Sequence, residues 1–509
     1  MNASRVSLAV AALFVAWASA PAIAQTIDFD SRPSGFLNVG NGGMPADAWS
    51  GTSLATAKRL VSALPPAPRS RALRDLQFRV LVSALTPPPP DGSPPPSLFA
   101  RKVEKLAAMG EAESLNEMVR GAGGYADPGI ATMVVNALML AGERQSACAI
   151  VRKTQLIDVF ASRAEAACRL LDGDTAAAAA AGLPAGQIDG PAMMALDLTG
   201  AQVPAGLLRA TQPSIIRSLV TLKTLPMATR IDIAERGEAL AIVEATRLGD
   251  LYLEALRDRA PLPPAAARRG QMVAASRSAA NADEIANSLV AVYGEARGSA
   301  LFPTVARASA VGLLNLPPQP QFANVAQEAM RGFLLLGDKR KTQAWLRLAL
   351  GAVTNNARAI IALDRLIPLA AVAGVEESRL LTPVEINRWY ELMREDDAAR
   401  APLRGYLLLE LLRATGIDLP ARSTDLPEQP PGNARLVMPN AASLQVLATS
   451  AAGRRRAETS LLASIAAAET PLTELHPVGV AAIVRGLRQV GEDNAAGLFA
   501  IEVAIAYGL

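Results

Sequence analysis

Apolar residues recur at helical spacing along most of this chain, and a glycine followed by an acid recurs between the runs. Leu98, Val103, Leu106 and Ala107 mark one stripe, the chain turns at Gly110-Glu111, and Leu115, Met118 and Val119 mark the next. Ile130, Val134, Leu138 and Ala141 repeat the layout, followed by Gly142-Glu143 and then Ala147, Ile150 and Val151. Steps of three and four residues put each set on one face of an α-helix. Gly173-Asp174 continues the series, so that the three turns stand 32 and 31 residues apart, a helical-repeat spacing. Glycine can end a helix in the left-handed region, and an acid just after it favours the positive N-terminus of the next. One such hairpin cannot bury its own stripe, so the pattern predicts stacked helical hairpins.

Further copies fall at Gly249-Asp250, Gly294-Glu295, Gly337-Asp338 and Gly491-Glu492, with a less convincing Gly237-Glu238. Composition alone would supply about three or four Gly-acid pairs, against eight found. The chain closes on a hairpin, with Val480, Ile483, Val484 and Leu487 before Gly491 and Leu498, Ile501 and Ile505 after it. Nearer the start, helices are expected over 54–63 and 72–85 with Ser53 and Ser70 as N-caps, and later over 441–447 and 458–468. The stretch 175–181, nearly all alanine, reads as a thin helix pressed on a neighbour, with a mobile insertion as the alternative.

Pro-rich stretches set the expected boundaries. The run PPPPDGSPPP within 87–97 favours extended polyproline II, and a second Pro-rich segment covers 419–439. This predicts a segment with one helical hairpin at 25–86, a helical-repeat solenoid at 98–418 and a C-terminal helical region at 440–509. Residues 1–24 read as a secretory signal peptide: Arg5, an apolar run from Val6 to Ala18, then Ala22-Ile23-Ala24 for cleavage after Ala24. Gln25 in place of cysteine leaves no lipid attachment site. Ile360–Val375 is interrupted by Asp364, Arg365 and Pro368, so no transmembrane helix is expected in the mature chain. A periplasmic protein follows, with secretion beyond the outer membrane as the other destination.

Aromatic residues make up 4% of the chain while alanine and leucine are abundant, a balance that suits close helix packing and an all-α fold. Fifty basic and 47 acidic residues give a net charge of +3 with both signs spread throughout, which argues against a nucleic-acid partner. The densest basic run, Arg454-Arg455-Arg456, reads as a solvated helix start, the alternative being an acidic surface to bind.

Gly-acid turns between amphipathic helices of about a dozen residues resemble the tetratricopeptide-type α-solenoids. They also resemble the helical superhelix of periplasmic soluble lytic transglycosylases. The likeness spans about 98–350 and the last helix pair, and it is degenerate, lacking the consensus Trp, Tyr and Pro positions. The segments MPADAWSGTSLATAKRLVSALPPAP and LHPVGVAAIVRGLRQVGEDNAAGLFAIEVAIAYGL are similar to a group of uncharacterised exported alphaproteobacterial proteins. That resemblance implies no activity.

Catalytic chemistry is scarce. His476 is the one histidine, which excludes a paired-histidine metal site, and its place before Pro477 points to a structural role at a helix start. Gly-x-Ser-x-Gly, P-loop and dinucleotide fingerprints are absent. Glu113-Ser114 and Glu377-Ser378 match the transglycosylase catalytic pair only as dipeptides, without the downstream run of that family. Glu376-Glu377 and Glu395-Asp396-Asp397 lack the loop spacing of a calcium site and read as solvated surface. No catalytic residue, cofactor or metal is therefore assigned.

Cys148 and Cys168 are the two cysteines. If the chain reverses near 156–159, they fall opposite each other across an antiparallel helix pair, so a disulfide is expected, with two buried thiols as the alternative. The resulting expectation is a non-enzymatic envelope scaffold that binds another protein or an extended peptide. Trp49, Trp389, Tyr390 and Arg455 are the expected partner contacts, while Trp345 is assigned to the core. The alternative is a binding factor for peptidoglycan or polysaccharide.

Overall fold

The computed structural model describes residues 29–182, 188–278, 281–296, 301–352, 357–375, 381–417, 419, 423–432 and 434–509. The expected signal peptide lies outside these residues, as do Glu376, Glu377 and Ser378. Within them the chain is all-α, with twenty-five α-helices and no strand. Only isolated bridges join extended residues, at Ser34–Leu85, Leu37–Ser83 and Val437–Leu475. No described helix is long and apolar enough to cross a membrane.

The two N-caps expected in the first hairpin are in place. Ser53 Oγ accepts from Thr56 N–H at 3.2 Å and opens Leu54–Ala63, and Ser70 Oγ accepts from Leu73 N–H at 3.2 Å and opens Arg71–Val82. The alanine stretch forms a 3-10 turn and the short helix Ala178–Ala181, with Ala177 and Ala181 buried, as a thin helix against a neighbour requires.

Five of the eight Gly-acid pairs share one geometry. Gly110, Gly142, Gly173, Gly337 and Gly491 all have φ between +71° and +102°. In each turn the glycine N–H and the acid N–H close back on the preceding helix: Gly110 to Ala107 O at 3.0 Å and Glu111 to Leu106 O at 2.9 Å, Gly491 to Arg488 O and Glu492 to Leu487 O at 2.9 Å each. These paired bonds satisfy carbonyls that a helix end leaves open. Gly237, Gly249 and Gly294 instead lie inside the helices Met227–Ala239, Ala245–Arg257 and Ala282–Ala296. The reason is packing at Gly237, where a Cβ would sit 2.5 Å from Val243 Cγ2.

The acid of the turn does more than favour a helix start. Glu111 binds Arg74 at 2.6 Å and Arg217 at 2.8 Å, and Glu492 binds Arg79 at 3.0 Å and Arg456 at 3.2 Å. Each glutamate thereby ties its turn to two other parts of the chain.

Cys148 and Cys168 form a disulfide between the helices Arg144–Val151 and Asp158–Leu171, with their Cα atoms 5.6 Å apart. Both residues are buried. Replacing both with serine is expected to cost about 3 kcal/mol by freeing a loop of roughly 20 residues in the unfolded chain. Limited proteolysis should then cut within 144–171 faster than in the wild type; equal rates would show the link to be dispensable.

The two ends of the chain share one seam. Arg71–Val82 packs on Arg456–Ala467 and on the last helix, Asp493–Tyr507. Thr52 Oγ1 donates to Glu458 at 2.9 Å, Ala457 N–H to Ala48 O at 2.9 Å, and Ser464 Oγ to Leu73 O at 3.3 Å. From Asp493–Tyr507 the packing continues through Ala326–Leu335, Phe302–Ala308, Met227–Ala239, Pro213–Thr221 and Leu98–Met109 back to Arg71–Val82, a closed circuit of helices.

His476 stands at the start of Pro477–Gln489, where its Nδ1 accepts from Val478 N–H at 3.2 Å. That bond needs an unprotonated nitrogen, and burial, opposed by the charge of Glu410, holds the imidazole pKa below its ordinary value. A lowered folded pKa means that the contribution is whole above the unfolded value of about 6.5 and is lost as pH falls below it. The melting temperature should therefore decline modestly from pH 7 to pH 5, and His476→Asn, which keeps a capping acceptor, should flatten that decline. An identical slope in the variant would remove His476 as the cause.

Candidate functional site

A cavity of about 740 Å³ opens where the elements of the circuit meet. Its walls come from the start of Arg71–Val82, the end of Met227–Ala239, Phe302–Ala308, Ala326–Leu335, Ala357–Val372, the 393–404 bend and the end of Asp493–Tyr507. Seven arginines and four side-chain carboxylates face it, between apolar patches of Phe302, Leu335, Met393 and Ile505.

Glu238, fully buried, receives Arg307 Nε at 2.6 Å and Nη2 at 3.0 Å, and Arg71 Nη2 at 3.1 Å from the seam. Burial opposes its ionisation, but the two guanidiniums prevail and its pKa lies below the ordinary carboxylate value. This trio joins three helices far apart in sequence.

Glu502, on the last helix, accepts from Ser70 Oγ at 2.5 Å and from Ala72 N–H at 3.2 Å. Its carboxyl therefore supplements the cap of Arg71–Val82, where the helix N-terminus favours negative charge. Burial nevertheless pushes its pKa up, against the pull of Ser70 and Arg307.

On the opposite wall Arg365 grips Asp396 with both Nη atoms, one of them at 2.9 Å. That hydrogen-bonded guanidinium, with the fields of Arg404 and Arg331, holds Asp396 below the usual carboxylate pKa. Asp397 pairs more loosely with Arg400 at 3.7 Å. Glu395-Asp396-Asp397 is thus partly a cavity wall, whereas the sequence suggested solvated surface.

Two further arginines are positioned by backbone carbonyls: Arg404 Nε donates to Tyr507 O at 3.0 Å and Arg69 Nε to Glu469 O at 3.2 Å, while Arg331 Nη2 reaches an oxygen of the last residue, Leu509, at 3.5 Å. No described carboxylate lies within ion-pair distance of Arg404 or Arg69. Partial burial lowers the Arg404 pKa, and the nearby Arg400 charge adds to the effect, while Asp397 and Asp396 oppose it.

The expected partner contacts lie elsewhere, and three of the four are not available to a partner. Trp49, Trp389 and Tyr390 are buried at 2%, 0% and 8% exposure. Their large apolar rings fill gaps between helices, the aromatic term in an aromatic-poor core. Trp345 is fully buried, as assigned. Arg455 is half-buried and reaches Glu458 at 3.4 Å, and Arg456 donates to Val490 O and Gly491 O. Within the Arg454–Arg456 run, Arg456 is therefore a tertiary tie and Arg455 a local i,i+3 pair, with Arg454 left exposed.

The cavity residues escaped the sequence because no spacing links them: Arg71, Glu238, Arg307 and Glu502 belong to four separate helices. The one available hint was Glu238, the acid of the least convincing Gly-acid pair. No group of metal-ligating side chains occurs among the described residues. No protein-family model matches the chain, and neither does any curated protein or solved structure.

Proposed function

We propose that the protein is a non-enzymatic, exported helical-repeat scaffold of the cell envelope that holds a segment of another protein in its central cavity. Successive hairpins joined by the recurrent glycine turn act as a degenerate tetratricopeptide-like solenoid, and its last hairpin returns onto the first. The observation that carries this reading is the state of the cavity carboxylates. Glu238 and Asp396 are clamped by arginines below their ordinary pKa, and Glu502, whose pKa burial raises, is buried and held by Ser70 and the cap of Arg71–Val82. A general acid or base needs a titrating group poised near working pH and free to reach substrate. This wall offers recognition through fixed guanidiniums and apolar patches instead.

A photo-crosslinking residue placed at Thr473 or Ala506, both on the cavity wall, tests the reading in the native periplasm. Covalent capture of one protein species there, and its absence from the outward-facing Val159, is the expected result. Failure to capture a protein from either cavity position defeats the proposal. Retention of the protein on purified cell-wall sacculi would instead favour the glycan-binding alternative.

A further inference from the structure

The cavity wall carries an excess of positive charge that the chain itself does not neutralise. Seven arginines face four side-chain carboxylates. Glu238 occupies Arg71 and Arg307, Asp396 occupies Arg365, and Asp397 sits near Arg400. Arg404 and Arg69 have no described carboxylate within ion-pair distance, and each donates through Nε to a backbone carbonyl. A guanidinium has five donors, so one carbonyl leaves most of its hydrogen-bonding capacity unspent. Arg404 is partly buried and Arg69 exposed at the rim; a partly buried cation such as Arg404 is stabilised by an arriving anion, with the planar fork matching a carboxylate.

Where the arginines stand narrows the ligand. They enter from several separate elements, and the same elements bring apolar side chains to the wall: Phe302 with Arg307, Leu335 with Arg331, Met393 with Arg400 and Ile505 beside Tyr507 in the chain. A fatty-acyl chain needs one continuous apolar wall, and here it would be pressed against guanidiniums. A nucleotide needs aromatic platforms, and the wall offers only Phe302 and Tyr507. Alternating acidic and apolar side chains on an extended backbone meet both kinds of patch. A volume of about 740 Å³ is that of a ligand pocket and takes part of a short peptide's length.

Resting on the scaffold reading above, we infer that the cavity binds an acidic, partly apolar peptide segment, with its carboxylates on Arg404 and Arg69.

Fluorescence anisotropy of the full-length protein with a labelled six-residue peptide of alternating leucine and aspartate tests this. Saturable binding is expected, weakened about tenfold when asparagine replaces aspartate and about fivefold or more by Arg404→Gln, with further loss at high salt. Arg454→Gln, on an exposed arginine away from the cavity, should bind as the wild type does, and matching circular dichroism and melting curves for Arg404→Gln exclude misfolding. Equal affinity for the asparagine peptide would overturn the acidic-ligand inference while leaving the cavity as a peptide site. Binding of neither peptide, or displacement of the aspartate peptide by decanoate or an oligonucleotide at lower concentration than by unlabelled peptide, overturns the inference; with no capture at Thr473 or Ala506 the scaffold reading falls too.

Discussion

Glu238→Ala is expected to destabilise the protein by about 3–5 kcal/mol, because it leaves the buried Arg307 guanidinium without its paired carboxylate and Arg71 with only the looser contact to Glu244 at 3.7 Å. The Glu238 side chain has no exposed surface, and that of Arg307 is 9% exposed, so water cannot take over its role. Glu238→Gln should cost less, since the amide oxygen still accepts one bond. The triple variant Arg71→Met, Glu238→Leu, Arg307→Met is expected to recover most of the loss, because an apolar set of similar volume removes the desolvation problem along with the ions. Denaturant melts of the three proteins decide the matter. A Glu238→Ala melt within error of the wild type would show that the trio contributes nothing. The pH dependence has a definite sign: with the folded pKa depressed, the pair is intact above the unfolded value of about 4.3 and is lost as pH falls below it.

Trp389→Ala should be nearly as damaging, at about 3–5 kcal/mol, since the indole is fully enclosed and its removal leaves a cavity that the helices around it can close only in part. Trp389→Phe is expected to cost much less. Its indole N–H has no hydrogen-bond partner, so the smaller ring forfeits packing volume alone. A surface anchor would behave in the opposite way, losing affinity for a partner with little change in melting. Thermal melts of the two variants therefore also test the burial that removed Trp389 from the set of contact residues.

Local features were the legible part of this protein. Ser53 and Ser70 act within one helical turn of themselves, and the Gly110, Gly142 and Gly173 turns use the φ that glycine alone adopts cheaply, so short windows sufficed. Cys148 and Cys168 were legible because a single reversal separates them. Gly237 misleads because a glycine inside a helix, where a neighbour comes too close for a Cβ, has the same local text as a glycine ending one. The aromatic residues mislead for a related reason: whether Trp389 faces a neighbour or solvent depends on helices far away in sequence. Glu238 and Glu502 were beyond reach, since their partners come from other helices as much as 432 residues away.

The seam between Arg71–Val82 and Asp493–Tyr507 also bears on the order of synthesis. A ribosome delivers the first of these helices more than four hundred residues before the second, so the nascent chain carries Leu73, Leu76 and Val80 with no final surface to cover them. Those residues are fully enclosed in the finished molecule. Until the last helix emerges they are adhesive, and a holding chaperone suits this chain better than stepwise folding from its beginning.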